Sequence, residues 1–152
     1  MSSSSDIRMV DVGDKPITSR LAVARGKVSM QAKTLRLLKK GKLPKGDVVA
    51  AARVAGIMAA KETHRLIPLC HPLLIEDVNI EFFLDDKNSA VEIKATVKGS
   101  GKTGFEMEAL TAVAVSGLTI YDMCKTVDQM LELGNIRLVK KSGGKSGTVN
   151  LE

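Results

Sequence analysis

AVEIKATVK, Ala90 to Lys98, alternates apolar and polar side chains without a break. A period of two predicts a β-strand with one buried and one wetted face. The flanking segments decide what this strand belongs to. Just before it, Asp85-Asp86-Lys87-Asn88 has the composition of a tight turn, and Val78 to Leu84 reads as the other strand of a hairpin. Just after it, Gly99 to Gly104, GSGKTG, reads as a Gly-rich loop. Thr103 followed by Glu106 matches a capping box, which opens a long helix from about Gly104 to Val127. Gly134-Asn135 reads as a turn, Ile136 to Val139 as a short strand, and the tail KKSGGKSGTVNLE as a second Gly/Lys loop with room for a last strand.

Towards the N-terminus, Asp47 can cap a helix running to about Leu66, DVVAAARVAGIMAAKETHRL, whose small side chains permit close packing. Ile67 to Pro72, IPLCHP, holds two prolines and reads as a stiff, extended connector. Arg20 to Met30 reads as a bent strand, Gln31 to Lys40 as a short basic amphipathic helix, and Gly41 to Gly46 as a loop. Residues 1–14 read as a flexible, Ser-rich segment, and residues 15–152 as a single α+β domain. The order strand, helix, hairpin, helix, strand is the split β-α-β pattern of ferredoxin-like α+β folds, an antiparallel sheet with helices packed on one face. The second face then asks for cover, which self-association would supply.

Composition narrows the function. The 152 residues carry a net charge of +6, which suits nucleic acid, an anionic surface or a phosphorylated small molecule. Aromatic residues are only 3%, which argues against a base-stacking platform for single strands. Cys70 and Cys124 form no CxxC pair, so neither a zinc site nor a disulfide scaffold is expected. No apolar run is long enough to span a membrane, and the start MSSSSDIR has no apolar core, so a cytoplasmic protein is expected.

Several segments invite chemistry. GSGKTG and KSGGKSG resemble phosphate loops, but the P-loop pattern requires glycine where Thr96 and Val139 stand. What survives is an anion nest of Gly-rich backbone beside lysines, against a plain turn or a solvated tail. His71, on the Pro-stiffened connector, is either a ligand contact or a partly buried structural histidine. Neighbouring strand residues point to opposite faces, so Cys70 and His71 do not make a nucleophile–base pair. On the long helix, Glu108 and Asp122 are separated by about 1400° of rotation, within ~40° of alignment, whereas Glu106 lands ~160° away from Asp122. Asp122 and Lys125 are i, i+3 neighbours, either a surface ion pair or, in the apolar stretch LTIYDMCK, a partly desolvated acid–base pair with a lowered lysine pKa. Glu108 and Asp122 lie ~21 Å apart along the helix, so a small ligand touching both would have to sit between two chains. Lys45, just ahead of a helix N-terminus, is either an anion contact or a loop lysine. Arg20 has the same standing.

Taken in order, MVDVGDKP, KGDVVAAARVAGIMAAKETHRLIPLCHPL, KTGFEMEALTAVAVSGLTIYDMCK and RLVKKSGGKSG resemble MoaC, the cyclic pyranopterin monophosphate synthase family of molybdenum cofactor biosynthesis. The resemblance implies a lyase that converts 3′,8-cyclo-7,8-dihydro-GTP into the pterin cyclic pyranopterin monophosphate and releases pyrophosphate. It implies a ferredoxin-like fold and a homohexamer, a trimer of dimers with sites between subunits. By position, Asp122 and Lys125 match the catalytic pair. Leu69, Cys70 and His71 match the substrate-contacting LCH, and Met107 and Glu108 the contacting ME. Lys45, Arg20, Lys141 and Lys145 match basic residues near the triphosphate. Glu106 also matches an acidic position, though the facing argument favours Glu108. No redox cofactor or metal cluster is implied, which leaves Mg²⁺ with the triphosphate. No nucleic-acid or membrane partner is expected. The rival is a basic RNA-binding module, but Phe82 and Phe83 are adjacent and face opposite ways. A catalytically silent homologue is a third reading, against which intact His71, Asp122 and Lys125 speak.

Overall fold

The computed structural model describes residues 6–152; residues 1–5, the start of the expected flexible segment, lie outside the described residues. Five antiparallel strands form one sheet in the order β2-β3-β1-β4-β5. They are β1 (Thr18–Ser29), β2 (Leu74–Asp85), β3 (Ala90–Gly101), β4 (Glu132–Ser142) and β5 (Val149–Asn150). The helices are α1 (Ala32–Lys39), α2 (Val48–Lys61), α3 (Thr63–Leu66) and α4 (Glu106–Cys124). The expected ferredoxin-like α+β arrangement is present, with β5 added as a short hairpin at one edge.

The alternation in AVEIKATVK works as expected. Val91, Ile93, Ala95 and Val97 point inward with Ala22, Ala24 and Val28 of β1, and all are fully buried. Against them pack Ala109, Ala112, Val113 and Ile120 of α4. The Ala-rich α2 lies close to α4, near enough for the Ser116 hydroxyl to donate to the Ala52 carbonyl at 3.1 Å. The opposite face of the sheet carries charged side chains of β1 and β3. Arg25 pairs with Glu92 there at 3.4 Å and lies over the Phe83 ring, so that face is polar by its own sequence.

Several local expectations are corrected. The helix expected to reach Leu66 does so with one break at Glu62, where α2 gives way to α3, and buried Thr63 turns its hydroxyl back onto the carbonyls of Ala59 and Ala60 across that break. Ile67 is extended as expected, but the chain then turns at Pro68 and Leu69, where the Cys70 amide donates to the Ile67 carbonyl at 3.2 Å. GSGKTG is not wholly a loop, since β3 runs on through Gly101. Gly99 faces Arg20 on one side and Ile75 on the other, and a Cβ there would run into the Leu74 carbonyl and the Phe105 ring. The glycine serves close packing rather than chain reversal. Gly134-Asn135 does not turn the chain either. It forms a bulge in β4 opposite Arg25–Lys27, with Asn135 at φ 57°. The capping box does not form. Phe105 stands at the N-cap of α4, no side chain caps it, and the helix ends at Cys124.

Candidate functional site

The two ends of α4 carry two different clusters. At its C-terminal end, Asp122 lies between two ammonium groups. Lys125 Nζ is 2.9 Å from Asp122 Oδ1, and Lys45 Nζ donates to Asp122 Oδ2 at 2.9 Å and to the Asp122 carbonyl at 3.3 Å. Lys45 reaches this point from the loop between α1 and α2. Asp47 meanwhile occupies the α2 N-terminus, accepting from the Ala50 amide at 3.0 Å. Hydrogen bonds from Lys125 and then Lys45 hold the Asp122 carboxyl below its ordinary pKa, and the bond to Asp122 raises that of Lys125. The expected desolvated lysine with a lowered pKa is therefore overturned in the isolated chain. The apolar residues of LTIYDMCK that sink into the core are Ile120, Met123 and Cys124, while Asp122 and Lys125 remain about half exposed, at 54% and 55%.

At the N-terminal end lies a cavity of about 500 Å³ lined by Arg20, Glu106, Lys141, Gly143, Gly144 and Lys145 among others. Arg20 comes from β1, Glu106 from the first turn of α4, and Lys141 from β4. Lys141 Nζ is 3.3 Å from Glu106 Oε1. The Arg20 guanidinium donates to the carbonyls of Gly101 at 3.1 Å and Lys102 at 3.3 Å, which fixes it against the end of β3. Gly143 has φ 101°, and a Cβ there would collide with the Ser19 carbonyl. Only glycine fits where this loop crosses β1. Lys15 and Thr18 also line the cavity, and the Thr18 hydroxyl is buried without a partner. Neither was singled out from the sequence, although strand alternation puts Thr18 on the same side as Arg20.

In the same first turn of α4 as Glu106 sits a buried carboxyl. Glu108 is only 3% exposed; the Cys70 thiol approaches its Oε2 at 3.8 Å, and Oε1 has no partner. Burial raises the Glu108 pKa, and burial together with Glu108 pushes the Cys70 thiol up to about 11. The shared face expected for Glu108 and Asp122 is thus divided: one is enclosed, the other open. Glu106, expected to be the weaker acidic residue, is the one that lines the cavity. Leu69 and Met107 are exposed, and His71 is half-buried beside Cys70. The four predicted basic residues do not gather at one place. Arg20, Lys141 and Lys145 line the cavity, while Lys45 joins the Asp122–Lys125 pair.

The family model described as the MoaC family matches residues 9–144. The chain belongs to the MoaC family. A cyclic pyranopterin monophosphate synthase from Chloroflexus aurantiacus is 61% identical over 140 residues, covering 92% of this chain and 86% of that protein. One from Roseiflexus sp. (strain RS-1) is 59% identical over 147 residues, covering 97% and 93%. One from Pelotomaculum thermopropionicum is 60% identical over 140 residues, covering 92% and 82%.

In this MoaC chain the enclosed Glu108 has a measurable consequence. Its raised pKa means that the folded protein binds this proton more tightly than the unfolded chain does. That stabilisation is present below the unfolded carboxylate value of about 4.3 and is lost as pH rises through the raised folded value. Glu108→Gln cannot ionise. Between pH 4 and pH 7.5, thermal melts should shift in favour of Glu108→Gln relative to wild type. A difference in Tm that is the same at both pH values would show that Glu108 is not desolvated.

Proposed function

We propose that this chain is a cyclic pyranopterin monophosphate synthase, a phosphorus–oxygen lyase of molybdenum cofactor biosynthesis. It takes 3′,8-cyclo-7,8-dihydro-GTP to cyclic pyranopterin monophosphate and pyrophosphate. The relatives' names supply the reaction, and the observation in this molecule that carries the reading is the cationic cavity framed by Gly143 and Gly144. A triphosphate carries about four negative charges. Arg20, Lys141, Lys145 and the Gly-rich backbone suit that charge and the additional charge that develops as pyrophosphate leaves. Ring closure requires an oxygen nucleophile to attack the α-phosphorus, and rebuilding the base into a pterin requires repeated proton transfers. Lys125, charged at neutral pH, serves as general acid. Asp122, held below its ordinary range between two lysines, orients them. Glu108 beside Cys70 and His71 is a second proton-holding group, and Leu69 and Met107 face the substrate.

α4 runs ~28 Å from Glu106 to Lys125 at 1.5 Å per residue, too far for one ligand to touch both ends of one chain. The reading therefore places each site between two copies, in a homohexamer built as a trimer of dimers. Val54 and Met58 on α2, with Leu118 and Tyr121 on α4, are large apolar side chains left exposed for such contacts. The chain carries no cofactor of its own in this reading, and Mg²⁺ would accompany the phosphates. In this reading neither nucleic acid nor a membrane is a partner; Phe82 and Phe83 lie under Arg53 and Arg25. No helix among the described residues is long and apolar enough to cross a membrane. The reading places the enzyme in the cytoplasm.

The test is incubation of the purified protein with 3′,8-cyclo-7,8-dihydro-GTP, following pyrophosphate and the pterin product together. Equal amounts of both are expected. A folded wild-type protein that forms neither would overturn the reading.

A further inference from the structure

Asp128, three residues beyond Lys125 in sequence, is only 4% exposed, and its carboxylate is fully engaged. Oδ2 accepts from the Gln31 amide at 2.9 Å and from the Thr34 hydroxyl at 2.7 Å; Oδ1 accepts from the Met130 amide at 2.7 Å. Gln31 is the N-cap of α1 and makes no side-chain cap of its own. Asp128 thus caps α1 from a distant segment, with its negative charge at the positive end of that helix. Thr34 is fully buried, so its hydroxyl would be left without a partner if the carboxylate moved.

These contacts close a ring. From α1 the chain continues through the loop of residues 40–47 to Lys45, which bonds Asp122. Asp122 bonds Lys125, and Lys125 leads within one turn of chain back to Asp128. The Lys125 amide still donates to Tyr121 at 2.9 Å and the Val127 amide to Cys124 at 3.0 Å, so helical order is carried up to the anchor. The three charged groups are themselves half exposed, and exposed ion pairs alone hold geometry weakly. The buried, fully bonded polar link in the ring is Asp128 together with Thr34.

We propose that Asp128 is a positioning residue that fixes Lys125 and Lys45 on either side of Asp122 by joining the end of α4 to the start of α1. The inference rests on the acid–base reading of that cluster.

Asp128→Asn keeps the size and removes the charge and one acceptor oxygen. Its kcat should fall about 10- to 100-fold with KM changed less than about threefold, the signature of misplaced rather than missing groups. Thr34→Val, which removes one donor from the other side, should lower kcat in the same direction. The double variant should be no worse than Asp128→Asn alone. Val91→Ala, in the core of β3, is the control: its Tm should fall with kcat unchanged. A second readout does not require turnover. Hydrogen exchange at the Lys125 and Val127 amides should speed up about tenfold or more in Asp128→Asn, while the amides at the centre of β3 keep their protection. If Asp128→Asn does not fold, Thr34→Val carries both measurements. Unchanged kcat, or unchanged exchange at Lys125 and Val127, overturns the proposal. A wild-type protein without turnover would overturn the functional reading instead, and the exchange measurement would still decide whether Asp128 holds the end of α4.

Discussion

Lys125→Ala is expected to lower turnover roughly 10³-fold, the scale of losing one general acid. The variant should fold normally. Lys125 is half exposed at the end of α4, and an exposed ion pair contributes little to stability. The expected result is therefore a protein with wild-type Tm, intact substrate binding and almost no product. Near-normal turnover would remove Lys125 from the chemistry. The same variant tests whether sites are shared between subunits. Lys141, at the other end of α4, lines the cavity. If one chain supplies Lys125 and its neighbour Lys141, co-expressed Lys125→Ala and Lys141→Ala chains will form mixed dimers in which one site retains both lysines. Activity should then recover to about a quarter of wild type with random pairing, and to about half in purely mixed dimers, although each variant alone is nearly inactive. No recovery in assemblies shown to be mixed would mean that each chain builds its site alone.

Phe105→Ala should produce the largest loss of stability. Phe105 heads the largest fully buried side chains and is 0% exposed. Its ring covers Gly99, where no Cβ could fit, and its backbone forms the N-cap of α4. Emptying such a site costs about 3–5 kcal/mol. At roughly 2–4 °C per kcal/mol for a domain of this size, Tm should fall by about 6–20 °C in a thermal melt. Phe105→Leu should retain most of the packing and fall less. A Tm within about 2 °C of wild type for Phe105→Ala would show that the ring does not fill the space between β3 and α4.

Much of the fold was legible because its signals are local. The alternation from Ala90 to Lys98, the turn at Asp85–Asn88 and the Asp47 cap each depend on residues within a few positions of one another. All appear where expected. The errors share a cause. Glycines at 99, 101 and 134 read as loop because glycine usually marks chain reversal, but here they lie inside strands where a neighbour comes too close for a side chain or where a bulge forms. Thr103 and Glu106 had the spacing of a capping box, yet burial of Phe105 set the helix start, and Lys141 drew Glu106 away.

For the candidate site, the chain's own residues determined which chemical groups are available: an acid–base pair at Asp122 and Lys125, a Gly/Lys loop at 142–147, a carboxyl at Glu108. Helical spacing alone also separated the ends of α4 by more than a small ligand can span. Only the tertiary structure decided which groups meet. It carried Lys45 to Asp122, gathered Arg20, Glu106 and Lys141 from three elements around one cavity, enclosed Glu108 against Cys70, and tied Asp128 to Gln31 and Thr34. Periodicity records how each segment is shaped and which face it buries. Contacts between residues many positions apart depend on how the helices settle on the sheet, and that follows from the packing of the whole core.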